Sequence, residues 1–172
     1  YVRSASLPIK PVIKAEQVQQ YQLPDKVDVY YANRQFLESQ GFKLPDIGTK
    51  KVILLPASDK GQEGKNQFLG KSIAYLSMRY EDQQKQTIED MDVEIAYYEG
   101  DWSFFPYNNE RKENLHNPII SLVNDQDMMW EEKTHLSTTG LNNPMKVENT
   151  EQNQKVITEL VEKLSDGSYL KF

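Results

Sequence analysis

The continuous apolar run from Val52 to Leu55 is the sequence feature that most constrains the fold. Lysines precede the run and Pro56 closes it, which is typical of a short strand that is covered on both faces. Helical and strand patterns are interspersed without regular alternation along the rest of the chain. The sequence therefore predicts an α+β fold, with a mostly antiparallel sheet and two or three packed amphipathic helices.

Other stretches predict further elements around this strand. Alternating Val27, Val29 and Tyr31 indicate a half-buried strand, followed by a short helix that ends at Gly41. Apolar residues at helical spacing predict a helix over 66–80, although Gly70 costs roughly 1 kcal/mol relative to alanine there. Another strand is predicted after Pro118, because a missing N–H is tolerated at the first position of a strand.

The clearest predicted helix lies near the end of the chain. Asn149 or Thr150 is its expected N-cap, and Gly167 follows its last turn. One apolar stripe runs along this helix and consists of Val156, Ile157, Leu160, Val161 and Leu164. At the other end, the prolines and the lack of a period predict an extended lead-in over residues 1–24 of a single domain spanning 1–172.

Six aromatic side chains fall within "YYEGDWSFFPYNN", residues 97–109. A turn at Gly100 predicts a hairpin, in which a two-residue loop places Trp102 and Phe104 on the same buried face as Val93, Ile95 and Tyr97. A three-residue loop would instead set Trp102 beside Tyr98. We expect Trp102 to be buried and Phe105 to be at least partly exposed. Tyr98, Phe105 and Tyr107 are then the candidate partner-binding residues.

The titratable residues predict no catalytic, cofactor or metal site. The chain has no cysteine, and His116 and His135 belong to no metal-binding pattern. We interpret Asp90 and Asp92 as carboxylates that point to water from one face of a strand. Asp125 and Asp127 are interpreted as part of a turn, because the Gly and the distal Glu of a calcium-binding loop are missing there. A net charge of -6 and a pI near 5.0 argue against nucleic-acid binding.

A longer segment resembles a known family. The segment "YYEGDWSFFPYNNERKENLHNPIISLVNDQDMM", followed by "GLNNPMKV", is similar to the extracellular domain of bacteriocin-associated, MacB/FtsX-like ABC transporter permeases of Gram-positive bacteria. The similarity in the order of parts extends over about 27–165. It implies a non-catalytic domain at the extracellular face of the cell membrane, tethered by flanking segments.

The resemblance also implies partners. A peptide or protein would bind the domain in antimicrobial-peptide export, resistance or immunity, and a separate ATP-binding subunit would act through membrane segments outside this chain. The start at Tyr1 rather than methionine fits a piece of a longer protein. Two alternatives stay open, namely a free-standing extracytoplasmic lipoprotein or secreted binding or immunity protein, and a carboxylate-dependent hydrolase.

Overall fold

The computed structural model describes residues 2–46, 48, 50–108, 111, 113–137 and 147–166, and for 135–137 it describes the backbone alone. Seven strands and six α-helices are assigned in these residues. The strands are β1 (Val2–Pro8), β2 (Lys26–Asn33), β3 (Lys51–Pro56), β4 (Val93–Tyr98), β5 (Ser103–Phe104), β6 (Leu115–His116) and β7 (Ile119–Val123). The helices are α1 (Ala15–Tyr21), α2 (Arg34–Ser39), α3 (Glu63–Leu76), α4 (Tyr80–Gln83), α5 (Trp130–Ser137) and α6 (Glu151–Ser165).

Five strands form one sheet in the order β1-β2-β7-β3-β4, and β5 pairs with β6 in a separate ribbon. β2 pairs with β7 and β3 pairs with β4 in parallel, whereas β1 with β2 and β3 with β7 are antiparallel. The fold is therefore α+β as predicted, but the sheet is mixed rather than mostly antiparallel. The reason is the crossover through α3, which returns the chain to the starting end of β3 before β4 begins.

β3 lies inside the sheet and is covered on both faces, which confirms the prediction from its apolar run. Ile53 and Leu55 point to one core together with residues of α3, including Phe68 and Ile73. Val52 and Leu54 point to a second core, which α2 and the β5–β6 ribbon cover from the other side. A strand with two buried faces needs apolar residues at successive positions rather than at alternate ones.

Gly70 explains how closely α3 approaches the sheet. A Cβ atom at this position would lie 2.5 Å from Cδ1 of Ile95 on β4. The glycine costs helix stability relative to alanine, but it brings the helix backbone against the parallel pair β3 and β4. The predicted helix over 66–80 is thus confirmed over most of its length, with Leu76 as its last residue.

The predicted hairpin at Gly100 is wrong. β4 pairs with β3 along its whole length, and the chain turns away from the sheet at Gly100, where φ is +98°. The following residues pair with β6, so that Phe104 lies opposite Leu115. Trp102 is half-buried and packs with Phe104 in the second core, on the opposite side of the sheet from Tyr97.

The predicted extended lead-in over 1–24 is correct only in part, because residues 2–8 are extended as strand β1 whereas residues 15–21 form the helix α1. Pro8 is the last residue of β1, at the edge of the sheet, where proline is tolerated because an outward N–H has no strand to bond. Tyr21, the last residue of α1, stacks on Phe68 of α3 with ring centroids 5.2 Å apart. The opening residues therefore add an edge strand and part of the helical layer.

Candidate binding surfaces

Tyr98, one of the three predicted partner-binding residues, is buried and not available to a partner. Only 3% of the side chain is exposed, and its hydroxyl donates a hydrogen bond of 2.7 Å to the carbonyl oxygen of Pro118. Burial raises the pKa of this phenol well above its usual value. As predicted, Tyr97 and Tyr98 point to opposite faces of the sheet. The face that Tyr98 points to is covered by the second core, however, so the predicted exposure of Tyr98 is wrong.

Phe105 and Tyr107 do lie together at the surface. Phe105 is 60% exposed, and its ring meets the edge of the half-buried Tyr107 ring at a centroid distance of 4.9 Å. The ring of Tyr107 in turn packs edge-on against the ring of Phe36 of α2, with the two ring centroids 5.6 Å apart. The exposure of Phe105 is confirmed, whereas Tyr107 serves mainly as a bridge between the surface and the second core.

The segment that carries these two rings lies along the outer edge of β1. The amide of Ser4 donates to the carbonyl oxygen of Pro106 at 3.0 Å, and the side-chain amide of Asn108 donates to the carbonyl oxygen of Ser4 at 2.9 Å. These bonds replace those that a neighbouring strand would make. The aromatic pair is thus held in place by the sheet edge and makes a small patch.

A cleft of about 490 Å³ opens where β2 and β7 end and β3 begins. The carboxyl ends of adjacent parallel strands are a common position for ligand sites in sheets that contain helices. Its charged lining residues carry both signs and are Arg34, Lys50, Lys51, Asp125 and Asp127, and the side-chain amides of Asn124 and Gln126 add uncharged polar groups.

Asn33 connects two walls of this cleft. Its side-chain oxygen accepts a hydrogen bond of 3.0 Å from the amide of Phe36 and so caps α2. Its side-chain nitrogen donates to both carboxylate oxygens of Asp125, at 3.1 and 3.2 Å. The loop after β7 is thereby fixed to the end of β2, and Asp125 is engaged within the protein.

The turn predicted at Asp125/Asp127 is present. The amide of Asp127 donates to the carbonyl oxygen of Asn124, and the amide of Gln126 donates to the Asn124 side chain. Within the described residues, no three His, Asp or Glu side chains are placed so that they could share a metal ion. Asp92, of the other predicted carboxylate pair, forms an exposed ion pair with Lys50.

A buried ion pair stands behind the cleft and joins α5 to the sheet. Nζ of Lys51 lies 2.6 Å from Oε1 of Glu132 and 3.0 Å from the carbonyl oxygen of Leu122, to which it donates. The other Glu132 oxygen accepts a hydrogen bond from the amide of Met129. Burial lowers the pKa of the Lys51 ammonium, and the facing carboxylate opposes this shift.

Sequence reasoning missed this pair, and no local signal could have revealed it. Lys51 and Glu132 are 81 positions apart, and each occurs among other charged residues in the chain. A buried pair that is satisfied on both sides has no free acid or base for catalysis, and its evident effect is to position α5. Of the two histidines, His116 is exposed beside Asp101, and the side chain of His135 lies outside the described residues.

Among the described residues, α6 carries the largest group of apolar side chains that are open to solvent. Thr150 caps the helix by accepting a hydrogen bond from the amide of Asn153, as predicted. The five stripe residues identified above, which we call the α6 stripe, are 43% to 56% exposed. No residue of α6 is buried. In contrast with α3, this amphipathic helix is not packed against the sheet.

The segment that carries the α6 stripe is acidic overall, although the residues that border the stripe include Lys163 as well as Glu159. Between residues 147 and 166 the sequence contains five acidic residues and two lysines, a net charge of −3. This segment alone therefore contributes half of the chain's net charge of -6.

Comparison of the chain with protein-family models, curated proteins and solved structures finds no match. None of the helices in the described ranges combines the length and apolar character needed to cross a bilayer. Of the predicted site residues, the structure brings Phe105 and Tyr107 together and separates them from the buried Tyr98.

Proposed function

We propose that this chain is a non-catalytic extracellular domain of an ABC-type permease that takes part in antimicrobial-peptide export, resistance or immunity, and that it acts by binding a protein or peptide. The observation that carries the binding function is the exposed α6 stripe. Exposed apolar patches bordered by polar residues are typical of interaction surfaces. The family assignment depends on the resemblance of the stretch around β4 to β7.

The geometry of the cleft argues against a carboxylate-dependent hydrolase at the end of the sheet. Most of its charged side chains are engaged within the protein, since Asp125 is held by Asn33 and Lys51 by Glu132. A hydrolase that used carboxylates would need two of them directed at one reacting bond. The polar groups of the cleft instead hold neighbouring elements together.

Cysteine labelling in intact cells tests the location, because the chain has no cysteine of its own. Ser58→Cys places a thiol at an exposed position of the full-length gene product, and Ser121→Cys places one in the core as a matched control. We expect a membrane-impermeant maleimide to label the Ser58→Cys protein in whole cells and to spare the Ser121→Cys protein. Labelling of Ser58→Cys only after lysis would contradict the extracellular location.

The full-length gene separates the permease from the free-standing alternative. The permease hypothesis predicts hydrophobic spans of about 20 residues on both sides of this chain. A lipoprotein predicts one N-terminal signal with a cysteine at its cleavage site. Finding that second arrangement would replace the permease assignment and leave the binding function to be tested separately.

A further inference from the structure

We infer that the free edge of β4 is a docking surface for a second copy of this chain, which adds its own β4 in antiparallel orientation. This surface involves no residue of α6, and the dimer is independent of the proposed function. Two open edges of this kind satisfy each other, and two five-stranded sheets then join into one.

The outer edge of β4 is open to solvent. β4 is the last strand of the sheet and pairs with β3 alone. In a parallel pair, alternate residues of a strand direct their N–H and C=O groups to the neighbouring strand, and the residues between them direct theirs away. Among the described residues, no backbone group other than those of β3 bonds to the backbone of β4. A groove of about 660 Å³ follows this edge beside α3, and its lining includes Gln67, Ile95 and Tyr97.

The two edges of the sheet are shielded differently. At β1 the segment at Pro106 and Asn108 bonds to Ser4, and Pro8 ends the strand without an N–H. β4 contains no proline, and its one charged residue is Glu94. Natural sheets usually shield an exposed edge with such devices. An edge that lacks most of them indicates that a strand from another chain covers it.

A hydrogen bond at the start of β4 indicates the register of the pairing. The carbonyl oxygen of Val93 accepts a hydrogen bond of 3.3 Å from the side-chain amide of Gln67, so this residue is engaged within the chain. Residues 94–98 remain for a partner strand. Antiparallel pairing of these residues with the same residues of a second copy places the two-fold axis at Ala96. Two small side chains then meet at the axis and put no bulk between the strands.

This register also matches the side chains of β4 with each other. Ile95 lies opposite Tyr97 of the second copy, on the side of the sheet that faces α3. Both side chains are only half-buried within one copy, so this pair removes further apolar surface from water. On the other side, Glu94 lies opposite Tyr98 of the second copy, and no like charges are directly opposed.

Two-fold pairing closes the assembly. Each copy uses its β4 edge once, so both outer edges of the joined sheet are β1. Those are the edges along which the segment at Pro106 and Asn108 lies. The assembly is therefore a closed dimer and not a growing fibre.

Sedimentation velocity over a concentration series tests the dimer with the whole 172-residue chain. We expect a species of twice the chain mass of 20.0 kDa that dissociates on dilution. Ala96→Lys should weaken the association by at least about tenfold, because two ammonium groups would face each other at the axis. Ala15→Lys makes the same change at an exposed position of α1 and should leave the dimer unaffected. Circular dichroism verifies that both variants stay folded.

Cysteine cross-linking locates the axis without a bulky substitution, because the chain has no cysteine of its own. Ala96→Cys places two thiols opposite each other, within the distance that a disulfide bridges. Glu94→Cys places the two thiols roughly 13 Å apart along the strands, because residue 94 lies opposite residue 98. We expect oxidation to give a covalent dimer of the Ala96→Cys protein and little of the Glu94→Cys protein, although Glu94 is the more exposed residue.

Three results would overturn the inference. The first is sedimentation of the unmodified chain as a monomer at every concentration. The second is a dimer that a folded Ala96→Lys variant leaves unchanged, which would assign the contact to another surface. The third is cross-linking of Glu94→Cys that is as fast as that of Ala96→Cys. None of these results bears on the labelling of Ser58→Cys in cells, which tests the proposed location separately.

Discussion

The helices α3 and α6 have similar sequence patterns and opposite surroundings. Each carries apolar residues at helical spacing, but Ile73 of α3 is fully buried while Leu160 of α6 is 50% exposed. α3 also buries polar residues, and these are satisfied, as when Asn66 donates to the carbonyl oxygen of Asp59 and to the hydroxyl of Tyr97. Apolar periodicity thus predicts that a helix has a face to bury, while the partner of that face depends on residues elsewhere.

The largest expected effect comes from the ion pair that attaches α5 to the sheet. Glu132→Gln leaves the buried Lys51 ammonium without its counter-charge, and we expect a loss of about 3 to 5 kcal/mol in the free energy of unfolding. Glu162→Gln in α6 is the control and should change this free energy by less than about 0.5 kcal/mol. Urea denaturation followed by tryptophan fluorescence measures both. Equal effects would mean that α6 is packed as tightly as α5.

Truncating an apolar residue in each helix compares them directly. Ile73→Ala should reduce the free energy of unfolding by about 2 to 5 kcal/mol, because it leaves a cavity in the core between α3 and the sheet, to which Ile53 and Leu55 also belong. Leu160→Ala should change it by less than about 0.5 kcal/mol, because the side chain is already half in solvent. A loss above about 2 kcal/mol for Leu160→Ala would refute the exposed position of α6.

Removing the N-cap side chain of α2 or of α6 is expected to change the free energy of unfolding less than the core substitutions do. Asn33→Ala should cost about 1 to 2 kcal/mol in unfolding free energy, since it removes the cap of α2 and the link to Asp125. Thr150→Ala removes the cap of α6, where we expect a lower helical signal by circular dichroism and an unchanged urea midpoint. A shift of that midpoint by Thr150→Ala would show that α6 unfolds together with the sheet.

The smallest effect is a dependence of stability on pH. Burial raises the pKa of Glu131 on α5, and Arg3 opposes the shift. The folded state therefore takes up a proton at higher pH than the unfolded state, so this residue destabilises the fold at neutral pH and the penalty fades as pH falls through the raised pKa.

Replacing this carboxyl group removes that dependence. We expect Glu131→Gln to be more stable than the unmodified chain at pH 7 and to lose this advantage towards pH 4.5, as measured by urea midpoints across the range. Glu159→Gln on the exposed α6 controls for loss of a surface carboxylate. An advantage for Glu131→Gln that is constant with pH would contradict the assignment.

Sequence reasoning succeeded for elements whose pattern is local. The apolar run of β3, the short helix α2 and the capped α6 were predictable because the relevant signals lie within a few residues of each other. Pro8 and Pro11 led to the prediction of an extended lead-in, but the pairing of these residues as an edge strand, which accepts a terminal proline, was not predicted. The candidate site was predicted in part, since Phe105 is exposed as expected.

The failures concern pairing between distant residues. Gly100 led to the prediction of a hairpin between β4 and the residues that follow it. In the structure β4 pairs in parallel with β3 after the crossover through α3, and residues 103–104 pair with β6. Tyr98 was assigned to a solvent face because nothing near it in sequence shows that the β5–β6 ribbon covers that side. The Lys51–Glu132 pair depends on the same long-range arrangement and has no sequence pattern of its own.

The bonds between Ser4 and the segment at Pro106 and Asn108 have a consequence for aggregation. An uncovered edge strand can template the addition of strands from other molecules and so begin a fibril. Here the chain's own backbone occupies that position at Ser4, and Pro8 has no N–H to offer further along β1. Addition of a strand from another molecule at the β1 edge should accordingly be hindered, and deleting the Asn108 contact by Asn108→Ala should increase growth in thioflavin fluorescence at high concentration.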